Sequence, residues 1–153
     1  MNSPDRTRGI FVVHGRNMGV KETVARFLER AVVNEPIVVL HEQPNRGMTV
    51  IEKLEKHSDV TYAVVILTGD DKAVHGDGST EPRARQNVIL ELGWFAGRLG
   101  RNRVCALYED GVKLPSDYDG VLYTSLDGPG AWRTELLREL EAAGVTVDWK
   151  SLA

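Results

Sequence analysis

The segment YAVVIL, residues 62–67, is the most apolar part of the chain. It contains no charge, no proline and no glycine, and six residues is a typical length for a strand rather than a helix. A strand that is apolar at every position, and not only at every second one, is buried on both faces of its sheet. The sheet that contains this strand must therefore be covered by helices on both sides.

Four further apolar segments are predicted to be strands of the same sheet: 9–14, 37–40, 103–108 and a shorter one at 121–123. Apolar residues at spacings of three and four predict amphipathic helices between and after them, at 21–33, 48–57, 83–100 and 132–143. The segment TGDDKAVHGDGSTEP, 68–82, is predicted to be a polar loop. Apolar strands that alternate with helices indicate an α/β fold, a flavodoxin-like doubly wound sheet of five parallel strands.

The composition is that of a single globular domain. The 153 residues are 42% hydrophobic and 27% charged, and the formal net charge of -3 argues against sequence-independent binding of nucleic acid. We expect a tail at 1–8, the domain at 9–148 and a tail at 149–153. No segment approaches the roughly 18 apolar residues of a membrane span. The single cysteine, Cys105, lies in an apolar run and is expected to be a buried, inert thiol, so we expect a cytoplasmic protein without disulfides.

Sheets of this kind bind ligands at the carboxyl ends of their strands. The first predicted strand ends at His14, and Arg16 and Asn17 follow it. These side chains could contact a ribose or a phosphate, or could form only a polar turn. Asp70 and Asp71 follow the third predicted strand and could line the pocket or cap the loop. We therefore treat His14, Arg16, Asn17 and Asp70 as candidate ligand-binding residues.

The segment RARQNVILELGWFAGRLG, 83–100, carries one acid among apolar residues. At about 100° per residue, Glu91 falls on the flank of the helix stripe that is formed by Val88, Leu92, Phe95 and Leu99. A carboxylate beside a hydrophobic wall is a common environment for a catalytic acid or nucleophile. The structural alternative is that Glu91 pairs with Arg98 or caps a neighbouring loop. Asn87, one turn earlier, could orient Glu91 or contact a ligand.

Five segments of the chain resemble the TIR-like domains of bacterial anti-phage defence. They are FVVHGR (11–16), LHEQPNRGMTVIEKLE (40–55), AVVILTGDD (63–71), RARQNVILELGWFAGRLGR (83–101) and LPSDYDGVLY (114–123). The resemblance extends from about residue 8 to residue 148, and its fourth segment is long and specific. It implies the same flavodoxin-like fold.

The resemblance also implies an activity. Domains of this family are often effectors that destroy NAD+ and are fused to a cyclic-nucleotide sensor such as a STING-like module. Their catalytic glutamate lies in the ELG segment and corresponds to Glu91. NAD+ would be a substrate, and no cofactor is implied. The family further implies self-association through the BB loop, here His41 to Gly47, and through neighbouring helices, with a pocket that two protomers complete.

A single carboxylate suits this chemistry. Cleavage of the nicotinamide–ribose bond passes through an oxocarbenium-like cation, which a carboxylate stabilises. Nicotinamide departs from a pyridinium that already carries the positive charge, so no second carboxyl group is needed to protonate it. Glu91 alone could hold the ribose hydroxyls and stabilise the cation.

Arg46 is the remaining candidate for substrate binding. Together with Gly47 it leads into a predicted helix, whose free N–H groups suit a phosphate, although a plain helix start capped by Thr49 is an equal alternative. Trp94 is predicted to pack within the protein rather than stack on a ligand. The four histidines show no metal-ligand spacing, so we predict no metal.

The first strand is followed by no G-x-G-x-x-G motif and the chain has no G-x-x-x-x-G-K-[ST] motif, which argues against a dehydrogenase or an NTPase. Two alternatives to an NAD+ glycohydrolase remain open. One is a non-catalytic TIR scaffold for protein assembly. The other is a nucleoside deoxyribosyltransferase, which uses a similar fold and a single glutamate.

Overall fold

The computed structural model describes residues 8–43, 46–57, 59–115 and 120–153. Its helices and strands, in chain order, are β1 (Ile10–Val13), α1 (Met18–Ala31), β2 (Ile37–Val39), α2 (Val50–Lys56), β3 (Tyr62–Leu67), β4 (Asp71–Val74), β5 (Thr80–Arg83), α3 (Gln86–Leu99), β6 (Val104–Tyr108), β7 (Leu122–Ser125) and α4 (Ala131–Ala142). Short 3-10 turns occur at Leu40–Glu42, Arg101–Arg103 and Trp149–Leu152. Residues 116–119, within the fifth segment of the family resemblance, lie outside the described part.

The main sheet has the strand order β2-β1-β3-β6-β7, and all its neighbouring strands are parallel. This is the flavodoxin-like order, so the predicted fold is confirmed. β3 lies in the centre, where all six of its residues are buried between β1 and β6. The carboxyl ends of β1, β2 and β3 consequently meet at one edge of the sheet.

Each face of the sheet carries its own core, because successive side chains of a strand point to opposite faces. Ile10 and Val12 of β1 join the residues of α1 and α4 in one cluster. Phe11 and Val13 join the residues of α2 and α3 in the other. Cys105, on β6, is fully buried in the first cluster, as predicted, and burial raises the pKa of its thiol to about 12.

The prediction of a polar loop at 68–82 is wrong, because this segment contains the antiparallel hairpin β4–β5. A tight turn at Asp77 and Gly78 joins the two strands: Asp77 accepts the Ser79 N–H at 2.9 Å, and Gly78 has a φ of +86°. The strands are short and largely exposed, and β5 contains Pro82. They consequently lack the apolar pattern that reveals the strands of the main sheet.

The structure also differs from the prediction at the start of α1 and at the C-terminal segment 149–153. α1 begins at Met18, earlier than predicted, because Asn17 accepts the Val20 N–H at 3.1 Å and caps the helix. The segment predicted as a C-terminal tail, 149–153, carries the turn Trp149–Leu152, and the Trp149 indole donates to Glu141 at 3.0 Å.

Asp70 holds the chain where it leaves β1. One carboxylate oxygen accepts the Arg16 N–H and the other accepts the Thr68 hydroxyl, each at 2.9 Å. Gly15 passes so close that a Cβ atom there would lie 1.9 Å from the Asp70 Oδ2 atom. Only glycine fits at this position while Asp70 keeps both bonds.

We expect Gly15→Ala to lower the free energy of unfolding by about 1–3 kcal/mol, because the new methyl group must displace an anchored carboxylate. In an Asp70→Ala background the new methyl group meets no carboxylate, so Gly15→Ala should lower the free energy of unfolding by clearly less. Urea denaturation of the four proteins measures this coupling, for which we expect about 1 kcal/mol or more. Strictly additive costs would show that Asp70 does not restrict residue 15.

Burial lowers the pKa of two histidines, His14 and His57, below the ordinary value of 6.5. Below pH 6.5 the unfolded chain therefore binds more protons than the folded one, and stability must fall as the pH is lowered. We expect the free energy of unfolding to decrease between pH 7.5 and pH 5.5. Urea denaturation across this range should show a shallower decrease for His57→Gln, which cannot take up the proton. A wild-type stability that is constant over the range would contradict the expectation.

Candidate active site

Glu91 lies on the side of α3 that packs against the sheet. Its neighbours on that side, Val88, Leu92 and Phe95, are fully buried, and Glu91 itself is only 3% exposed. The predicted position beside a hydrophobic wall is confirmed, and the burial is deeper than a flanking position suggests. A carboxylate at this depth needs hydrogen-bond donors.

His41 supplies that donor. Its Nε2 atom lies 3.1 and 3.2 Å from the two carboxylate oxygens of Glu91, so Nε2 carries the hydrogen and donates it. His41 is part of the 3-10 turn Leu40–Glu42, directly after β2. The alternative pairing of Glu91 with Arg98 is not among the contacts of the described residues: the Glu91 carboxylate contacts His41, and Arg98 is exposed.

Sequence reasoning assigned His41 to the BB loop and not to the site. The contact joins residues that are 50 positions apart, so no spacing along the chain reveals it. One signal was present: His41 follows the second strand just as His14 ends the first, and neighbouring parallel strands end at the same edge.

His14 lies behind His41. The centres of the two rings are 5.0 Å apart, and His14 is 5% exposed. Its Nδ1 donates to the Gly15 carbonyl at 2.7 Å, while Nε2 is buried and has no partner in the described part of the chain. Burial lowers the pKa of His14, which keeps the ring neutral near pH 7. The structure therefore places His14 as a support for the His41 ring.

Lys21 fixes the turn that carries His41. Its side chain is almost completely buried, and its ammonium group donates to Glu22 at 2.6 Å and to Glu42 at 2.7 Å. These two carboxylates raise the pKa of Lys21. Since Glu42 belongs to the same turn as His41, the ion pair links α1 to the site. Sequence reasoning found no role for Lys21.

The Glu91 carboxylate borders a cleft of about 270 Å³ between α2, the turn after β2 and the start of α3. One wall is apolar and consists of Leu40, Met48, Val50 and Leu54. The polar lining consists of His41, Lys53, Arg85, Asn87 and Glu91. A larger cavity, of about 740 Å³, lies beside the hairpin β4–β5. Asp71 lines it, but His14, Arg16, Asn17, Arg46, Asp70 and Asn87 are not in its described lining.

Of the predicted substrate-binding residues, Asn87 alone is part of the cleft lining that the structure describes. Its side chain makes no hydrogen bond within the described ranges, so it does not orient Glu91 in this structure. Arg85 and Lys53 share the lining and were not singled out from the sequence. The signal for Arg85 was its place two turns before Glu91 on the same predicted helix.

The other predicted residues lie outside the cleft. Arg16, Asn17 and Asp70 form the hydrogen-bonded turn after β1, in which Asn17 caps α1 and the Arg16 guanidinium reaches Asp71 at 3.5 Å. The structure thus favours the polar-turn interpretation for Arg16 and Asn17, and for Asp70 the interpretation that it caps the loop.

Arg46 is exposed, with a positive φ of +48° followed by Gly47 at +73°. It is not part of the described lining of the cleft. Thr49 accepts the Glu52 N–H at 3.2 Å and caps α2, which agrees with the plain helix start. Residues 44 and 45 of the BB loop lie outside the described residues.

The cleft therefore combines one buried carboxylate, an apolar wall and two basic side chains. Glu91 is the only carboxylate in its described lining, which fits a reaction that requires one anion and no carboxylic acid. Across the described ranges, no three His, Cys, Asp or Glu side chains are placed to share a metal ion. In the same ranges, every helix is too short or too polar to cross a bilayer.

Known proteins show related sequences. The protein YuaY of Escherichia coli (strain K12) is 46% identical over 93% of this chain and 48% of its own length. Protein tirC of Dictyostelium discoideum is 37% identical over 86% of this chain and 67% of its own length. CD-NTase-associated protein 12 of Flavobacterium daejeonense is 35% identical over 63% of this chain and 32% of its own length.

The chain thus spans less than half of the E. coli relative. Among solved structures, the SEFIR domain of the IL-17 receptor B superposes with a TM-score of 0.49 at 16% identity, over 87% of this chain and 97% of that domain. The family model described as "CAP12/Pycsar effector protein, TIR domain" matches residues 9–128, which include β1, α3 and Glu91. This chain therefore belongs to the TIR-domain family of CAP12 and Pycsar effector proteins, as the resemblance of its sequence predicted.

Proposed function

We propose that this domain is an NAD+ glycohydrolase that cleaves the nicotinamide–ribose bond as an effector of anti-phage defence. The observation that carries the proposal is the Glu91 carboxylate, which is 3% exposed, borders a cleft and is held by a hydrogen bond from His41. Membership of the CAP12/Pycsar effector family supports NAD+ as the substrate over the deoxynucleosides of a deoxyribosyltransferase.

In the proposed reaction, the bond between the ribose C1′ atom and the nicotinamide nitrogen breaks and nicotinamide leaves as a neutral molecule. The Glu91 carboxylate stabilises the positive charge that develops on the ribose. Water then adds to C1′, and its proton passes through Glu91 to the solvent, which gives ADP-ribose.

The bond from His41 leaves room for a substrate. A carboxylate has about four lone-pair positions, so Glu91 can accept ribose hydroxyl groups beside the His41 donor. The apolar wall of Leu40, Met48, Val50 and Leu54 offers a surface for the nicotinamide ring. Surroundings of low polarity strengthen the attraction between the carboxylate and the ribose cation.

The size of the cleft supports activation by assembly. Its volume of about 270 Å³ is just below the range of about 300–1,000 Å³ that is usual for ligand sites. A second protomer, placed through the BB loop at 41–47 and the neighbouring helices, would enclose more of a dinucleotide. Several relatives are named as Pycsar effectors and CD-NTase-associated proteins. We therefore propose that a cyclic-nucleotide-sensing module, in the same chain or another, drives assembly in the cytoplasm.

A second candidate is a non-catalytic TIR scaffold. The observation in its favour is that His41 already contacts both oxygens of Glu91, so the carboxylate has a complete structural role in tying α3 to the turn after β2. In that function, assembly would occur without consumption of NAD+.

Glu91→Gln should reduce nicotinamide release by about 100-fold or more, because the amide carries no charge to stabilise the ribose cation. The amide oxygen can still accept from His41, so the free energy of unfolding should change by less than about 2 kcal/mol. Chromatography of the released nicotinamide and urea denaturation measure the two effects. The control is Glu55→Gln, which removes an exposed carboxylate of α2 outside the cleft lining and should leave the rate unchanged.

Release of nicotinamide by Glu91→Gln at the wild-type rate would refute the catalytic assignment. If the wild-type chain assembles, as shown by light scattering, and still consumes no NAD+, the scaffold is the correct function.

If two protomers complete the pocket, the rate per molecule of the wild-type chain should rise with its concentration until assembly is complete. We expect the total initial rate to depend on concentration more steeply than linearly. Assays over a dilution series, together with light scattering at each concentration, measure this. A linear dependence across a range in which the chain changes from monomer to oligomer would contradict the shared pocket.

A further inference from the structure

Arg85 is a basic residue of the cleft whose charge has no partner among the residues that the structure describes. It precedes the first turn of α3, is partly exposed, and its guanidinium makes no hydrogen bond, ion pair or ring contact with any described residue. Several other arginines are engaged: Arg16, Arg26 and Arg83 pair with carboxylates, Arg103 donates to backbone carbonyls, and Arg133 lies over aromatic rings. Arg98 is also without a partner among the described residues, but it lies outside the cleft that holds Glu91. A guanidinium left free inside a cleft is available for an anionic ligand.

The position of Arg85 relative to Glu91 indicates which part of a ligand it would meet. Arg85 immediately precedes α3 and lies six positions before Glu91, a rise of about 9 Å along the helix axis, and both residues line the same cleft. Asn87 lies between them, and its amide is also free of partners within the described residues. The cleft therefore has an acid at one end, a cation at the other and an uncharged polar group between them.

The other base in the lining is already in use. Lys53, on α2, donates to the Gln43 carbonyl at 2.9 Å. Glu91 is satisfied by His41, so an anion can approach Arg85 without breaking an ion pair between Arg85 and Glu91. A guanidinium can also donate two parallel hydrogen bonds to a phosphate, which the ammonium group of a lysine cannot do.

We propose that Arg85 binds the phosphate that is attached to the 5′ carbon of the nicotinamide ribose while Glu91 contacts the ribose itself. The ligand class is a 5′-phosphorylated ribonucleoside, which includes nicotinamide mononucleotide and NAD+. This inference rests on the proposed function, because it extends the same cleft toward the second part of the substrate.

The test compares substrates with and without the phosphate. Arg85→Ala should lower kcat/KM for NAD+ and for nicotinamide mononucleotide by about 10- to 100-fold. It should change kcat/KM for nicotinamide riboside, which has no phosphate, by less than about twofold. Arg85→Lys keeps the charge but loses the paired donors, so its kcat/KM for NAD+ and for nicotinamide mononucleotide should lie between the values of the wild type and of Arg85→Ala.

The matched control is Arg98→Ala. It removes the same charge from the same helix, at an exposed position outside the cleft that holds Glu91. This variant should leave all three values of kcat/KM unchanged. An equal loss of activity on all three substrates in Arg85→Ala would overturn the proposal, because it would show a structural role for Arg85.

A binding experiment separates this inference from the proposed function. Calorimetry should show that ADP-ribose binds the wild-type chain about tenfold or more tightly than it binds Arg85→Ala, and that millimolar inorganic phosphate competes in the wild type only. That result supports the phosphate site even if the wild type releases no nicotinamide. Equal affinity of both proteins for ADP-ribose, or no binding to the wild type at millimolar concentration, would overturn it.

Discussion

Glu91 and His41 belong to parts of the chain that are 50 residues apart, and the hydrogen bond between them joins α3 to the turn after β2. Burial of a carboxylate without a hydrogen-bond donor would cost several kcal/mol. Glu91 can therefore occupy its buried position only because His41 lies beside it and donates to it. His41 in turn is held by the ring of His14 and by the Lys21–Glu42 ion pair in the same turn. One polar contact thus depends on β1, β2, α1 and α3 together.

The fold could be predicted from the sequence because its cause is local. Four strands of the main sheet, β1, β2, β3 and β6, are short apolar runs, and the helices present apolar stripes at helical spacing. The fifth strand, β7, is apolar only at its start and ends in Thr124 and Ser125, beyond the predicted segment 121–123. The hairpin β4–β5 could not be predicted in this way, because both of its strands are exposed and polar. Its stability depends on the Asp77 turn and on pairing across it, and neither requires buried side chains.

One part of the site could also be predicted from a local pattern, and the rest could not. Glu91 could be recognised because an acid beside Leu92 and Phe95 breaks an apolar pattern within one helix. The sequence hinted at the places of His41 and Arg85 but not at their contacts. The bond from His41 to Glu91 and the ion pair from Lys21 to Glu42 each join different elements, so the spacing along the chain does not reveal them. That Arg85 has no partner among the described residues is likewise visible only in the folded chain. Asn17 and Asp70 were predicted to bind substrate because their polar side chains follow buried strands. In the structure these side chains instead form hydrogen bonds within the turn after β1.

Cys105 gives the protein a property that is useful for experiments. Only a thiolate reacts rapidly with alkylating reagents, and this thiol is shielded in the middle of the sheet, with its pKa raised to about 12. A reagent can reach it only when the core on this face opens, either because α1 or α4 moves away from the sheet or because β6 separates from its neighbours. Alkylation of the native chain, followed by mass spectrometry, would therefore count the rare molecules whose core has opened on this face, without any label added to the sequence.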